Sequence, residues 1–271
     1  MNVKVVLAGC GNMGYAMLSG WLKSGRLAAT ATFVVEPNAE LRKRAAALGS
    51  QTAATARDIP AGVNPDLVVV AVKPQVIAEV TADYSRFAGG RTTFLSVAAG
   101  TPAATFRSIL GEDTPVIRCM PNTPAAIGKG MMVVFADDRV SPRMKSFVSD
   151  LLSASGEVAS VDDEALMDAV TAVSGSGPAY VFHFIECLMA AAKTAGLPDD
   201  VAALLARQTV FGAACLAAES GEEPGRLREQ VTSPNGTTAA ALAVLMGEGR
   251  LEKLITEAVE AARLRSIELG K

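Results

Sequence analysis

A glycine-rich segment near the start of the chain has the spacing of a phosphate-binding turn. Residues 9–14 read GCGNMG and follow an apolar run at 3–8, so a strand opens into G-x-G-x-x-G and then a helix. Gly9 permits the tight turn, Gly11 lets the backbone approach a pyrophosphate, and Gly14 lets the helix pack close to the strand. The first amides of the helix then face the anion. The segment predicts dinucleotide binding, and the alternative is a strand–helix turn without a ligand.

Three further non-helical stretches follow predicted strands, where a doubly wound sheet places its ligand. AVKP at 71–74 ends one strand, and its proline can open the next helix; Lys73 faces either a phosphate or ribose, or only solvent. VAAG at 97–100 offers small residues against which a flat ring can lie. RCMPNTP at 118–124 carries two prolines and Asn122, whose alternative role is to cap a turn.

Two interruptions in the C-terminal half could also form a site. SGSGP at 174–178 breaks a helical pattern and frees amides and hydroxyls, or it is a kink that only improves packing. VTSPNGTT at 231–238 precedes a helix-forming stretch. There, a threonine caps the helix, and the amides from Gly236 to Thr238 form an N-terminus open to a small carboxylate. As plain capping, the same turn needs no ligand.

The composition indicates a soluble, helix-rich enzyme and excludes several partners. The 271 residues carry a formal net charge of −3, which offers no basic field for nucleic acid or an anionic membrane. We find no basic-then-apolar leader and no apolar run of about 18 residues, so we expect neither secretion nor a membrane span. The four cysteines lack paired metal spacing, which favours reduced thiols in a cytoplasmic protein.

The single histidine narrows the possible chemistry. His183 sits between Phe182 and Phe184, so we expect a packed helix residue rather than a base or a metal ligand. With no second histidine and no suitable carboxylate cluster, we expect no metal site. A reaction that needs only hydride delivery and a hydroxyl near nitrogen fits better than an alcohol oxidation with a histidine base.

Up to about residue 160, short β-branched runs alternate with helical stretches. Strands without polar alternation are buried on both faces, which predicts an α/β fold with a parallel, doubly wound sheet. The predicted strands are 3–8, 31–36, 66–72, 92–98, 115–119, 131–135 and 157–161. The predicted helices between them include 37–48, 101–110 and 141–154.

After about residue 162, only helical periodicity remains. We therefore predict two domains, a dinucleotide-binding domain at 1–160 and an all-α domain at 161–271. The helical segment 199–219 is apolar almost all round, which implies burial or an interface. So much apolar surface in a helical half predicts that it packs against a second copy of the chain as a homodimer.

Together, these segments closely resemble one family, the pyrroline-5-carboxylate reductases. AVKP, VAAG, RCMPNTP, SGSGPAY and VTSPNGTT all look like its motifs, in order, and the match covers essentially the whole chain. The resemblance implies a Rossmann-type domain followed by an all-α domain that interleaves with its partner in a dimer, in some members within a ring of dimers. It also implies that NAD(P)H reduces 1-pyrroline-5-carboxylate to L-proline, the last step of proline biosynthesis.

The resemblance further assigns individual residues. Substrate contacts carry over to Glu164, Ser233, Gly236, Thr237 and Thr238, and the Thr238 hydroxyl becomes the hydrogen-bond partner of the ring nitrogen. An acid such as Glu164 near a helix start can alternatively serve only the helix dipole. The cofactor contacts carry over to Ala8, Gly9, Cys10, Gly11, Asn12, Met13, Glu36, Ala71, Val72, Lys73, Pro74, Ala98, Ala99 and Gly100.

Glu36 departs from one expectation of the family. Members that use NADPH commonly have a small or polar residue at the end of the second strand, which leaves room for the 2′-phosphate. An acid there bonds the ribose 2′-hydroxyl and repels a phosphate. Arg42, Lys43 and Arg44 follow on the next helix, where they can point to solvent. We predict that NADH works at least as well as NADPH.

Two other functions remain as alternatives. One is another imine reductase or a β-hydroxyacid dehydrogenase, but the latter place a lysine in a Gly-rich helix. Here, residues 174–178 contain no lysine, and the nearest is Lys193. The other is a non-catalytic NAD(H) sensor, against which the intact loop at 233–238 argues. Turnover assays distinguish a pyrroline-5-carboxylate reductase from these other reductases and from a sensor.

Overall fold

Eight strands form one sheet within residues 3–89 and 91–270, which the computed structural model describes. They are β1 Val5–Ala8, β2 Thr32–Val35, β3 Gln51–Ala53, β4 Leu67–Val70, β5 Thr93–Ser96, β6 Val116–Met120, β7 Gly130–Ala136 and β8 Gly156–Val161. Their order across the sheet is β3-β2-β1-β4-β5-β6-β7-β8. The order reverses between β1 and β4, as in a doubly wound fold, so the predicted fold class is confirmed.

Helices follow most strands and then occupy the C-terminal half. They are α1 Asn12–Lys23, α2 Ala39–Ala46, α3 Ile77–Ala82, α4 Ala103–Leu110, α5 Pro142–Ser153, α6 Met167–Val170, α7 Gly177–Thr194, α8 Asp199–Glu219, α9 Pro224–Gln230, α10 Thr237–Met246 and α11 Arg250–Leu269. Successive residues of a strand point to opposite faces, so each face of the sheet carries its own core. Val5 packs with Trp21 of α1 in one core, and Val6 packs with Phe106 of α4 in the other.

All seven predicted strands form, but the sheet differs from the prediction in two respects. The prediction missed β3, because a polar three-residue strand at the edge of a sheet gives no apolar run. The sheet is mostly parallel, as predicted, but β7 runs antiparallel to β6, which the prediction did not include. These two strands are joined by a loop and a short 3-10 helix, Thr123–Ile127, instead of the long crossover that parallel neighbours require.

The chain forms two compact units whose limits differ from the predicted domains. One extends to Ser176 and also includes the chain from Ala262, and the other is Gly177–Ala261. The first unit therefore continues beyond residue 160, since residues 164–176 bond to the loops and strands of the sheet. The functional division of the chain at residue 160 stays a prediction.

The second unit exposes an unusual amount of apolar surface on its helices. α8 is 21 residues long and is the one described helix whose length and composition would suit a membrane span. The expectation that His183 is packed is wrong for the single chain, where its ring is exposed and lies 3.1 Å from Glu186. The exposed apolar side chains of these helices include Val181, Phe182, Phe184, Leu204, Leu205, Phe211, Leu216, Val244, Leu245, Met246, Leu254 and Ile255.

The SGSGP segment contains the end of a π-helical turn, Thr171–Gly175, and the start of α7 at Gly177, with a bend at Ser176 between them. The Ser176 amide donates to the Thr171 carbonyl at 2.9 Å, five residues back, so the backbone stays paired. Gly175 packs against the Met120 side chain at a place where a Cβ would collide with it. The π-helical turn therefore packs closely against Met120, the last residue of β6 before the loop that leads to β7.

Asn122 joins that loop to the π-helical turn. The side chain does not cap the following 3-10 helix, contrary to the simpler expectation. Its Oδ1 accepts from the Met131 amide at 2.9 Å, and its Nδ2 donates to the Ser174 carbonyl at 3.2 Å. One amide side chain thus satisfies a donor on β7 and an acceptor on the π-helical turn.

We expect Asn122→Ala to lower the free energy of unfolding by about 1–3 kcal/mol, because it leaves a part-buried amide and carbonyl without this partner. Scanning calorimetry measures the change. The matched control is Asn64→Ala, in an exposed loop, which should change the unfolding temperature little. Equal effects of the two substitutions would contradict the role given to Asn122.

Candidate cofactor site and substrate loop

A cavity of about 680 Å³ opens at the point where the strand order reverses. Loops from the carboxyl ends of β1, β2 and β4 surround it, which is where doubly wound sheets bind ligands. Its volume lies in the range typical of small-molecule and cofactor sites. Of the predicted cofactor residues, the structure brings together here Gly9, Gly11, Glu36, Ala71, Val72 and Lys73.

The glycine loop fits the approach of a pyrophosphate. Gly9 has a φ of +87°, and a Cβ on it would lie 2.7 Å from the Ala71 carbonyl oxygen. A Cβ on Gly14 would collide with the Gly9 carbonyl oxygen, so α1 can start this close to β1 only without a side chain there. A Cβ on Gly11 would meet nothing within 4 Å. The open space beside Gly11 is what a phosphate group needs to reach the backbone.

Glu36 holds the glycine loop while it lines the cavity. The side chain is buried, with the residue 6% exposed, and its two oxygens accept from different backbone amides. Oε2 accepts from the Cys10 amide at 2.7 Å, and Oε1 accepts from the Asn38 amide at 2.9 Å. Because each carboxylate oxygen has a second lone pair, Glu36 can still accept a hydrogen bond from a ribose hydroxyl.

Two arginines of α2 brace the same region, so the expectation that they can point to solvent is wrong for them. Arg42 Nη1 donates to the carbonyls of Glu36 at 2.7 Å and Pro37 at 3.0 Å. The Arg44 guanidinium lies 3.9 Å from the Tyr15 ring centroid, and its Nη2 donates to the Cys10 carbonyl at 3.4 Å. The two arginines therefore bind backbone carbonyls just after β2 and in the glycine loop. Lys43 is exposed, and its ion-pair partner among the described residues is Glu40 on the same helix.

The cavity wall carries more negative than positive charge. Glu36, Glu79 and Asp83 contribute three carboxylates, against the one ammonium of Lys73. Tyr84 also lines the cavity, and its burial, with the neighbouring Asp83, raises the pKa of its hydroxyl. Glu79, Asp83 and Tyr84 were not predicted from the sequence, because they belong to no motif and reach the site through the short α3 and the turn after it.

Cys10 lies in the glycine loop as a neutral thiol. Burial raises its pKa to about 11; the Arg44 guanidinium opposes this shift, and the Glu36 carboxylate adds to it. The thiolate is the nucleophilic form of cysteine, so Cys10 is unreactive near neutral pH. Its contribution to the site is the backbone amide that Glu36 holds.

The other predicted cofactor residues lie outside this cavity. Asn12 and Met13 line a neighbouring cavity of about 420 Å³. Pro74 opens a 3-10 helix, Pro74–Val76, as predicted for that proline. Ala8 is buried in β1, whereas Ala98, Ala99 and Gly100 form the loop between β5 and α4.

The predicted substrate residues fall into both compact units. Glu164 belongs to the first unit, where its Oε1 accepts from the Ala103 amide at 2.7 Å and from Arg118 Nη1 at 3.0 Å. Ser233, Gly236, Thr237 and Thr238 belong to the second unit. Glu164 therefore bonds to distant parts of the chain and does not serve only the dipole of its own helix.

The turn before α10 is a helix N-terminus without a side-chain cap. Gly236 is the N-cap, so the expectation of a capping threonine is wrong. Asn235 adopts a left-handed φ of 59°, and a Cβ on Gly236 would collide with the Ser233 hydroxyl. Because no side chain caps the helix, the amides of Thr237 and Thr238 can donate to an anion.

Among the residues that the structure describes, no group of three or more His, Cys, Asp or Glu side chains could hold a metal ion. All four cysteines are free thiols, two of them buried.

Two glycine substitutions should separate binding from stability. We expect Gly11→Ala to weaken NADH binding at least about tenfold without lowering the unfolding temperature, because its Cβ enters only the open space that the phosphates need. Gly14→Ala should weaken binding and also destabilise the fold by about 1–3 kcal/mol, because its Cβ overlaps backbone.

Fluorescence titration with NADH and differential scanning fluorimetry measure the two effects. Gly62→Ala, which also places a Cβ in open space but in a distant exposed loop, should change neither. If Gly11→Ala and Gly14→Ala lowered the unfolding temperature equally, the assignment of the open space to a ligand would fail.

Comparison with known proteins places the whole chain in one group. The family model described as pyrroline-5-carboxylate reductase dimerisation matches residues 164–269, and one described as NADP oxidoreductase, coenzyme F420-dependent, matches residues 4–100. The pyrroline-5-carboxylate reductase of Pseudomonas aeruginosa is 38% identical over 99% of this chain and 97% of its own. That of Synechocystis sp. is 39% identical over 100% of both chains.

Solved structures agree with the sequence matches. A pyrroline-5-carboxylate reductase from Coxiella burnetii is 33% identical over 100% of both chains, with a TM-score of 0.93. The Plasmodium falciparum pyrroline carboxylate reductase, solved with NADP bound, is 26% identical with a TM-score of 0.86, over 100% of this chain and 99% of its own. This protein is therefore an oxidoreductase that belongs to the pyrroline-5-carboxylate reductase family.

Proposed function

We propose that the protein reduces 1-pyrroline-5-carboxylate to L-proline with a reduced nicotinamide cofactor, the last step of proline biosynthesis. The observation that carries the proposal is the open glycine-loop cavity at the strand-order reversal, in a chain whose full-length relatives bear the name of this reductase. The first test is the initial rate of cofactor oxidation with 1-pyrroline-5-carboxylate. If neither NADH nor NADPH supported turnover, the proposal would be rejected.

The fit of the cofactor rests on the glycine loop and on Glu36. Gly9, Gly11 and Gly14 leave the backbone accessible, and Glu36 and Lys73 line the cavity as partners for ribose and phosphate. Ala98 to Gly100, which the family resemblance assigns to the cofactor, offer small residues for a flat ring. When bound, the cofactor supplies the hydride, and the protein contributes binding and orientation.

The substrate is held by the turn before α10. The amides of Thr237 and Thr238 bind its carboxylate at the positive end of the helix dipole, whereas the Gly236 amide donates to the Ser233 carbonyl at 3.1 Å within the turn. The Thr238 hydroxyl holds the hydrogen bond to the ring nitrogen, and Ser233 belongs to the same turn. The family resemblance assigns a further substrate contact to Glu164. A protonated ring nitrogen makes carbon 5 electrophilic, so the protein needs no strong general base. Most of the rate then comes from orienting the reacting groups.

The protein acts as a cytoplasmic homodimer, in which the apolar helices of the second unit are covered by a second copy; a ring of such dimers is the larger assembly. Exposed Phe182, Phe211 and Leu254, within the stretch that matches a dimerisation family, support this assembly. The same covering accounts for the composition of α8 without a membrane. Four free thiols fit the cytoplasm.

One observation weighs against the β-hydroxyacid dehydrogenase alternative. Lys193, the lysine nearest to the Gly-rich interruption, pairs with Asp199 at 3.0 Å, near the end of α7. The Gly-rich turn itself is occupied by close packing on Met120. A six-membered cyclic imine and 3-hydroxyacids are the next substrates to test if the five-membered imine fails.

NADH serves at least as well as NADPH in this proposal. Three carboxylates against one ammonium in the cavity disfavour a 2′-phosphate, and Arg42 is engaged with two carbonyls. We expect kcat/KM with NADH to equal or exceed that with NADPH, measured side by side at fixed ionic strength. The control is Lys43→Ala, an exposed neighbour, which should leave the ratio unchanged. A clear preference for NADPH would defeat the argument from Glu36.

Thr238→Ala should raise the barrier of the reaction by about 1.5–3 kcal/mol, the usual scale for one hydrogen bond to a charged group. Thr238→Ser keeps the hydroxyl and should recover most of the rate. Steady-state kinetics at saturating cofactor measures both. An unchanged turnover number in Thr238→Ala would show that another group or water supports the nitrogen.

A further inference from the structure

Arg118 is a buried cation at the start of the RCMPNTP motif, and the proposed site gives it no function. It lies on β6, and its side chain is 7% exposed. Its Nη1 donates to Glu164 Oε1 at 3.0 Å, and its Nε is buried without a hydrogen-bond partner among the described residues. A buried guanidinium is costly to desolvate, so a partly satisfied one calls for a physical reason.

The same Glu164 oxygen caps α4 from a distant part of the chain. Oε1 accepts from the amide of Ala103, the first residue of α4, at 2.7 Å. The N-cap of α4 is Pro102, which provides no side-chain hydrogen bond. Glu164 thus takes the place of the usual capping side chain, and a carboxylate at this end also complements the helix dipole.

The capped helix begins at Ala103, three residues after the end of the loop Ala98–Gly100. This loop is fixed at a second point, since a Cβ at Gly100 would lie 2.9 Å from the Ser266 carbonyl oxygen. The Ser266 hydroxyl in turn donates to Asp168 Oδ1 at 2.6 Å, one helical turn after Glu164. Two carboxylates of one short helical segment therefore fix both the loop and the end of α11 that packs on it.

We propose that Arg118 is a positioning residue of the reductase: through Glu164 it holds the start of α4, and thereby the Ala98–Gly100 loop against which the nicotinamide lies. The proposal rests on the proposed function for the role of that loop. It assigns Glu164 Oε1 to the protein itself, which leaves Oε2 as the oxygen available to a substrate.

The test compares four variants of the full-length protein, Arg118→Met, Arg118→Lys, Glu164→Gln and Glu164→Ala. We expect Arg118→Met to lower kcat about 10- to 100-fold, the scale for a misplaced reacting group, while the Kd of NADH changes less than about threefold. The isotope effect on kcat with 4-deuterated NADH should rise, because hydride transfer becomes slower than the other steps. Arg118→Lys should recover part of the rate. Glu164→Gln, which keeps an acceptor for the Ala103 amide, should lose less rate than Glu164→Ala.

Arg107→Met is the matched control. Arg107 forms a largely buried ion pair with Asp137 near the opposite end of α4, with side chains 14% and 16% exposed. The Arg107→Met variant should have a lower unfolding temperature and an unchanged isotope effect on kcat. If Arg118→Met lost rate with an unchanged isotope effect, as Arg107→Met would through a reduced folded fraction, the positioning role would be overturned.

A second readout does not depend on the substrate. The fluorescence enhancement of NADH on binding reports the surroundings of the nicotinamide, so Arg118→Met should lose enhancement at a nearly unchanged Kd. Full enhancement in Arg118→Met would overturn the inference even if the wild-type protein proved inactive with 1-pyrroline-5-carboxylate. Inactivity of the wild type alone would reject only the proposed function.

Discussion

The close approach of two loops at the carboxyl ends of β1 and β4 governs the geometry of this molecule. Gly9 turns with its Cα against the Ala71 carbonyl, and Gly14 starts α1 against the Gly9 carbonyl. Side chains at these positions would push the helix away from the sheet and close the space beside Gly11. The cavity, the direction of the first helical amides and the packing of Trp21 beneath them all follow from this contact.

The Glu36 carboxylate has two roles: it lines the cavity where the cofactor ribose would bind, and it holds the glycine loop in place. A carboxylate this buried is stable only with hydrogen-bond donors around it, and the amides of Cys10 and Asn38 supply them. The loop in turn depends on the carboxylate, because the Cys10 amide is held by it. A substitution of Glu36 that changes the cofactor preference would therefore alter the geometry of the glycine loop as well as the contact with the ribose.

The sequence predicts the parts of the fold that depend on local pattern. Apolar runs locate seven strands, and the glycine spacing locates the turn at Gly9, since both are set by neighbours along the chain. Contacts between distant segments leave no such signal. The edge strand β3, the antiparallel β7 and the bonds of Arg44, Asn122 and Glu164 depend on which distant segments lie together in space. Residue types alone do not specify these contacts between distant segments.

The single tryptophan gives this architecture a spectroscopic consequence. Trp21 is 1% exposed in the core beneath α1, inside the first compact unit, and the chain has no other indole. Its emission therefore reports the polarity of that core alone, whereas the helical ellipticity of the chain also includes the long α7 and α8 of the second unit. Following both signals along one denaturant gradient resolves whether the two units unfold together, because a two-state transition requires the two curves to coincide.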